Sequence, residues 1–200
     1  MRLARILSVV LHPIFMPVAG VIILLTAGGW LAILSPAAKR YIFLITLITT
    51  VVIPLLVMPI LKSRKLITDY QLTERSERRI PLLMVAFLYL VGAWILQKAQ
   101  APLIFALFLD ASALVILACT VVNWKWKIST HMAGLGGLTA MVMVVGLKWM
   151  LGIEVLIGCL FLAAGLAGYA RLRLHEHTPA QVYAGYLVGF GIIFAVMWVI

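Results

Sequence analysis

The sequence predicts an all-α fold, a polytopic transmembrane helical bundle of six to seven spans, and three observations carry that expectation. Of the 200 residues, 65% are hydrophobic and only 11% charged, with a mean hydropathy of +1.17; water-soluble domains are not that apolar. The apolar residues gather into runs near the ~20 residues that carry a helix across ~30 Å of hydrocarbon. Short clusters rich in Lys and Arg separate the runs, as snorkelling cations do at a membrane surface. Residues 1–200 therefore read as a single integral-membrane domain.

Taken in order, a first span is expected from about Pro13 to Leu34, where Ser35-Pro36 ends it. The second, Tyr41 to Leu61, contains Pro54 and Pro59, and each removes a backbone donor, so a kink is expected. The longest polar segment follows, Ile67 to Ile80. Pro81, well tolerated in a first helical turn, opens a third span to about Gln97. Lys98 to Ala101 is a tight hairpin, and Pro102 opens a fourth span that ends near Asn123-Trp124-Lys125-Trp126-Lys127, where aromatics and cations suit the headgroups. A fifth span covers about Met132 to Leu147, a sixth Val155 to Ala170, and a seventh Pro179 to Ile200. The basic start, Met1 to Arg5, leads through His12-Pro13 into a full-length apolar run, so it reads as a flank and not as a cleaved signal. Cys119 and Cys159 both lie in apolar runs and read as small buried hydrophobes. Asp110, inside the fourth span, is expected to face the bundle interior, paired or protonated.

Alternating spans put the N-terminus and the loops after spans two, four and six on one face. That face holds twelve of the sixteen Lys and Arg; Lys39, Arg40, Lys98 and Lys148 lie opposite. The positive-inside rule makes it cytoplasmic, and setting aside Arg75, Arg79 and Arg171 still leaves nine against four. The expected setting is a bacterial inner membrane, with the bilayer itself as partner. Although the pI is near 10.1, the charges sit at the ends of apolar runs and form no soluble basic patch, which argues against nucleic acid.

The chemistry gathers on that face. Between the sixth and seventh spans, Ala170 to Gly185 holds Arg171, Arg173, His175, Glu176 and His177 within seven positions. Thr178-Pro179 reads as an N-cap followed by Pro at the first helical position. His177 is then just outside a helix N-terminus, where the dipole favours an anion and keeps an imidazole neutral, the form that acts as a nucleophile. Ser129-Thr130-His131 repeats the arrangement before the fifth span, with Ser129 or Thr130 able to cap. Two histidines at two helix starts, with Arg171 and the Arg75 to Arg79 cluster on the same face, point to a two-base site around an anion. The alternatives are interfacial histidines without a role, or a zinc site from His131, His175 and His177, which lacks a His-x-x-x-His pair or a Cys helper.

The Ala170 to Gly185 stretch resembles the third signature of the type 2 phosphatidic acid phosphatase superfamily, Ser-Arg-x5-His-x3-Asp-x3-Gly. Arg171, His177 and Gly185 match its spacing; Ala170 stands for the Ser and Gln181 for the Asp. The second signature, Pro-Ser-Gly-His, is matched at Ser129 and His131 of Ile128-Ser129-Thr130-His131. The first, Lys-x6-Arg-Pro, is echoed by Arg79-Ile80-Pro81 with one residue inserted and Leu72 in place of the Lys. The resemblance covers about residues 64–190 and implies a core of six transmembrane helices with a phosphate pocket at the membrane surface and no metal or other cofactor. It also implies roles: His177 as the phosphate-accepting nucleophile, His131 as the general acid, and Arg75, Arg79, Arg171, Ser129 and Thr130 as phosphate-binding groups. Gln181 would orient His177 without the carboxylate charge of the family's Asp. The implied substrate is a phospholipid or isoprenoid phosphate: phosphatidate, phosphatidylglycerophosphate or a polyprenyl diphosphate. A member of the same fold that binds or moves anionic lipids without catalysis is the alternative implied by Gln181.

Overall fold

A computed structural model of the protein describes residues 1–70, 72 and 74–199. Among the described residues nine α-helices follow one another: α1 (Arg2–Val10), α2 (Met16–Thr26), α3 (Pro36–Leu47), α4 (Ile53–Ser63), α5 (Arg79–Lys98), α6 (Leu103–Val122), α7 (Thr130–Trp149), α8 (Glu154–Arg173) and α9 (Pro179–Met197). No strand occurs among the described residues. Joined through short 3₁₀ and π turns, they make seven helices long and apolar enough to cross a membrane, the architecture of a multi-pass integral membrane protein.

The boundaries differ from the expected ones where local chemistry extends a helix. The first span begins at Arg2, because α1 and α2 run on through a 3₁₀ turn at Pro13–Phe15, and it ends at Thr26. The second begins at Pro36, since Ser35 accepts from the Ala38 N–H and Pro36 takes the first helical position. Within it, the donor missing at Pro54 is absorbed by a π turn at Ile48–Val52, and Thr46, Thr49 and Thr50 bond back to backbone carbonyls one turn earlier. The seventh span is described to Val199; Ile200, and Gln71 and Thr73 in the polar segment, lie outside the described residues.

The centre of the bundle is α7, whose length is almost wholly buried. Its partner is α9, and glycine makes the approach possible: a Cβ on Gly185 would overlap the Ser129 carbonyl, and one on Gly189 the Ala133 carbonyl. The Ser129 N–H reaches the Gln181 carbonyl at 3.3 Å. This seam holds the start of α7 beside the start of α9, and with them His131 beside His177. Asp110 is half-buried on α6 and accepts from Gln97 Nε2 at 3.2 Å, well away from that end of the bundle.

Candidate functional site

His177, buried at 8% exposure, precedes a helix start that is held shut by its own side chains. Thr178 Oγ1 accepts from the Gln181 N–H, and Gln181 Oε1 accepts from the Thr178 N–H, a complete capping box. Those two backbone donors are therefore taken, and an anion at this face falls mainly to side chains. Gln181 Oε1 also lies 3.2 Å from His177 Nδ1, and the Lys127 carbonyl lies 3.2 Å from the same nitrogen. Both neighbours are acceptors, so Nδ1 carries the proton and Nε2 keeps its lone pair. The imidazole is held neutral as well: burial, then the charges of Arg171 and Arg78, lower its pKa to about 4.

His131 sits inside the first turn of α7, not just outside it as its sequence context suggests. Ser129 is the N-cap residue, yet its hydroxyl is fully buried, has no partner among the described residues and makes no cap bond; Thr130 is the first helical residue. His131 Nε2 lies 3.1 Å from the Ser8 carbonyl and 3.4 Å from the Ser8 hydroxyl. A carbonyl can only accept, so this ring carries its proton on Nε2, the reverse of His177. The His12 ring stands edge-on to it, with centroids 5.1 Å apart.

Arg171 is buried in the last turn of α8. It donates through Nη1 to the Ser8 hydroxyl at 2.9 Å and pairs through Nη2 with Glu176 at 3.5 Å, while its Nε, also buried, has no partner among the described residues. Glu176 is shared with Lys127 at 3.4 Å. Arg78 is the second buried guanidinium, fixed by a 2.7 Å bond from Nε to the Leu72 carbonyl. His131, His177, Arg171, Arg78, Thr130, Ser8, His12 and Glu176 all line one cavity of about 770 Å³.

Several residues singled out in the sequence lie elsewhere. Arg75 is exposed and donates to the Lys125 carbonyl at 2.6 Å, and Arg79 is exposed with its guanidinium 5.9 Å from the Trp124 ring centroid. Neither lines the cavity, and nor does Ser129. The helical turn decides this: with Ser76–Arg78 wound as a 3₁₀ turn leading into α5, only Arg78 of the three faces inward. His175 is exposed at φ +56°, and among the described residues no group of three His, Cys, Asp or Glu is arranged to hold a metal ion. Ser8 and His12 had no signal of their own, since each is one polar residue in an apolar run. Arg78 did have one, being the middle basic residue of a cluster in which the Arg-x-Pro spacing favoured its neighbour. Comparisons with protein-family models, with curated proteins and with solved structures find no match to this chain.

Proposed function

We propose that this protein is a metal-independent membrane phosphatase acting on a lipid phosphate or diphosphate through a phosphohistidine intermediate. One observation carries the reading: a histidine whose Nε2 has no partner among the described residues, a second histidine and two buried guanidiniums line one cavity. In the proposed reaction Arg171 and Arg78 hold the phosphoryl oxygens and offset their charge in the transition state. His177 Nε2 attacks phosphorus in line, the bond to the leaving oxygen breaks, and that oxygen takes a proton from His131, protonated beside the bound anion. Water then attacks the phosphohistidine with His131 as base, which releases inorganic phosphate and frees His177. Glu176 is displaced from Arg171 as the phosphoryl group arrives. The Arg-x5-His-x3-Gln-x3-Gly resemblance to the type 2 phosphatidic acid phosphatases supports the roles of Arg171 and His177. The excess of Lys and Arg on this face supports a cytoplasmic orientation in a bacterial inner membrane.

The test is release of phosphate by purified protein in EDTA from phosphatidate, phosphatidylglycerophosphate and a polyprenyl diphosphate. Turnover of at least one, lost in His177→Ala, is expected. No turnover of any of them, with anionic lipid still bound, would overturn the enzymatic reading in favour of a lipid-binding or lipid-moving protein. Gln181 is the observation that favours this second reading, since an amide offers His177 no charge to stabilise the cation formed on phosphorylation.

A further inference from the structure

The cavity continues far below the polar mouth. On α6 its lining is a stripe at helical spacing, Phe108, Ser112, Val115, Ile116 and Cys119, while Leu114 on another side of the same helix is 47% exposed. On α5 the stripe is Leu82, Val85 and Tyr89, and Phe87 and Trp94 face outward at 64% and 59% exposure. Depth can be read from the helices. Phe108 lies about 14 residues from the Val122 end of α6, and Ile193 about 14 residues from the Pro179 end of α9. Both therefore stand about 21 Å below the polar face at 1.5 Å per residue, roughly two thirds of a ~30 Å hydrocarbon layer. At that level the cavity is floored because Gly20 leaves room for the Phe108 ring and Gly137 for the Ile193 side chain. It also has a side: Val9 of α1 and Leu55 of α4 line it while remaining 67% and 53% exposed, so it opens laterally between those two helices.

A cationic, histidine-bearing end on a mostly apolar cavity with a lateral opening is the complement of one amphiphile, an anionic head on a long hydrocarbon chain. We infer that the cavity takes one hydrocarbon chain of the phosphate-bearing substrate inside the bundle, admitted sideways between α1 and α4, and that the Phe108 and Ile193 floor sets the longest chain accepted. The inference rests on the phosphate reading for the head group alone. The chain is a saturated acyl or alkyl tail or an isoprenoid; the two share the chemistry the shaft recognises.

The test is photolabelling of the full-length protein in lipid nanodiscs with non-hydrolysable phosphonates, one series alkyl and one isoprenyl, each with a diazirine at the far end of the chain. Insertion should map to the interior stripe, at Phe108, Ser112 or Tyr89, for long probes, and nearer Cys119 for short ones. Whichever series labels the interior identifies the chain class. Ser112→Phe, or Ile116→Phe should the first variant not assemble, should cut interior labelling by the long probe about tenfold and spare the short probe. Labelling confined to outward residues such as Phe87 and Trp94 would overturn the inference, as would interior labelling that ignores chain length and both fillings. Phosphate release with only outward labelling leaves the enzymatic reading standing without the shaft. Interior labelling without phosphate release leaves the shaft and removes the enzyme.

Discussion

His177 and His131 stand near the starts of two adjacent helices on one face of the bundle, yet the fold holds them by opposite ring nitrogens. His177 is gripped at Nδ1 by an amide oxygen from the helix it precedes and by the Lys127 carbonyl of the loop between α6 and α7, and its Nε2 has no partner among the described residues. His131 is gripped at Nε2 by the Ser8 carbonyl, 123 residues away. In the proposed reaction the first arrangement suits a nucleophile, and the second suits a proton donor whose partner an incoming ligand would replace. The lesson is that a helix start alone does not assign a histidine its role. The partner oxygen does, because it selects the tautomer.

Substitutions test that asymmetry, beginning with the largest effect. His177→Ala is expected to lower phosphate release by about 10³-fold or more on every substrate, because in the proposed reaction this ring carries the phosphoryl. His131→Ala should cost about 10²-fold to 10³-fold on an alkyl phosphate but much less on an aryl phosphate, whose leaving group needs no proton. Equal losses on both esters would erase the proposed difference between the two rings.

Arg78→Ala should lower kcat/KM by about 10- to 100-fold, the scale of one buried charged hydrogen-bonding group, whereas Arg75→Ala and Arg79→Ala should stay within about twofold. Arg78→Ala also has a pH signature. Its charge helps to hold the His177 pKa near 4, below the ordinary 6.5, so the nucleophile stays unprotonated down to about pH 4. Removing it lets that pKa rise, and the acid limb of the kcat/KM profile should move up toward neutrality. The same depression means that His177 contributes to folding stability above pH 6.5, and that this contribution is lost as pH falls from 6.5 to about 4. Gln181→Glu keeps the length and the capping box but adds the charge that the amide lacks. It should raise kcat about tenfold and shift the acid limb upward as well; a slower enzyme would show that the amide is tuned for another task. The smallest effect belongs to Ser8→Ala, which removes the hydroxyl but not the carbonyl. A phosphoryl oxygen would no longer compete with Ser8 for Arg171, so KM should fall by a factor of about 2–5, the worth of one net hydrogen bond.

Much of this was legible in the residues themselves. Apolar run lengths predicted six to seven crossings, and the structure has seven candidate spans; Thr178-Pro179 marked the start of α9 as the capping box has it. These features depend on chemistry within a few residues, so a linear reading reaches them. The place of Ser129 on the inert side of its helix start was not legible, nor was the choice of Arg78 over Arg75 and Arg79. Each turns on a rotation of about 100° per residue against neighbours that come from other spans.

What the sequence determined by itself is the membrane class, a bundle of six to seven spans and the gathering of His131, His177 and Arg171 on one face, because hydropathy and alternation are local properties of the chain. Only the tertiary structure decided which nitrogen of each histidine is free, which arginines look inward, that Ser8 of α1 ties Arg171 to His131 across 163 and 123 positions, and that an apolar shaft runs beneath them. Those outcomes depend on how tightly α7 and α9 close over their glycines and on which residues of α1 and α4 line the cavity, and packing between distant spans leaves no periodic trace in the order of the residues.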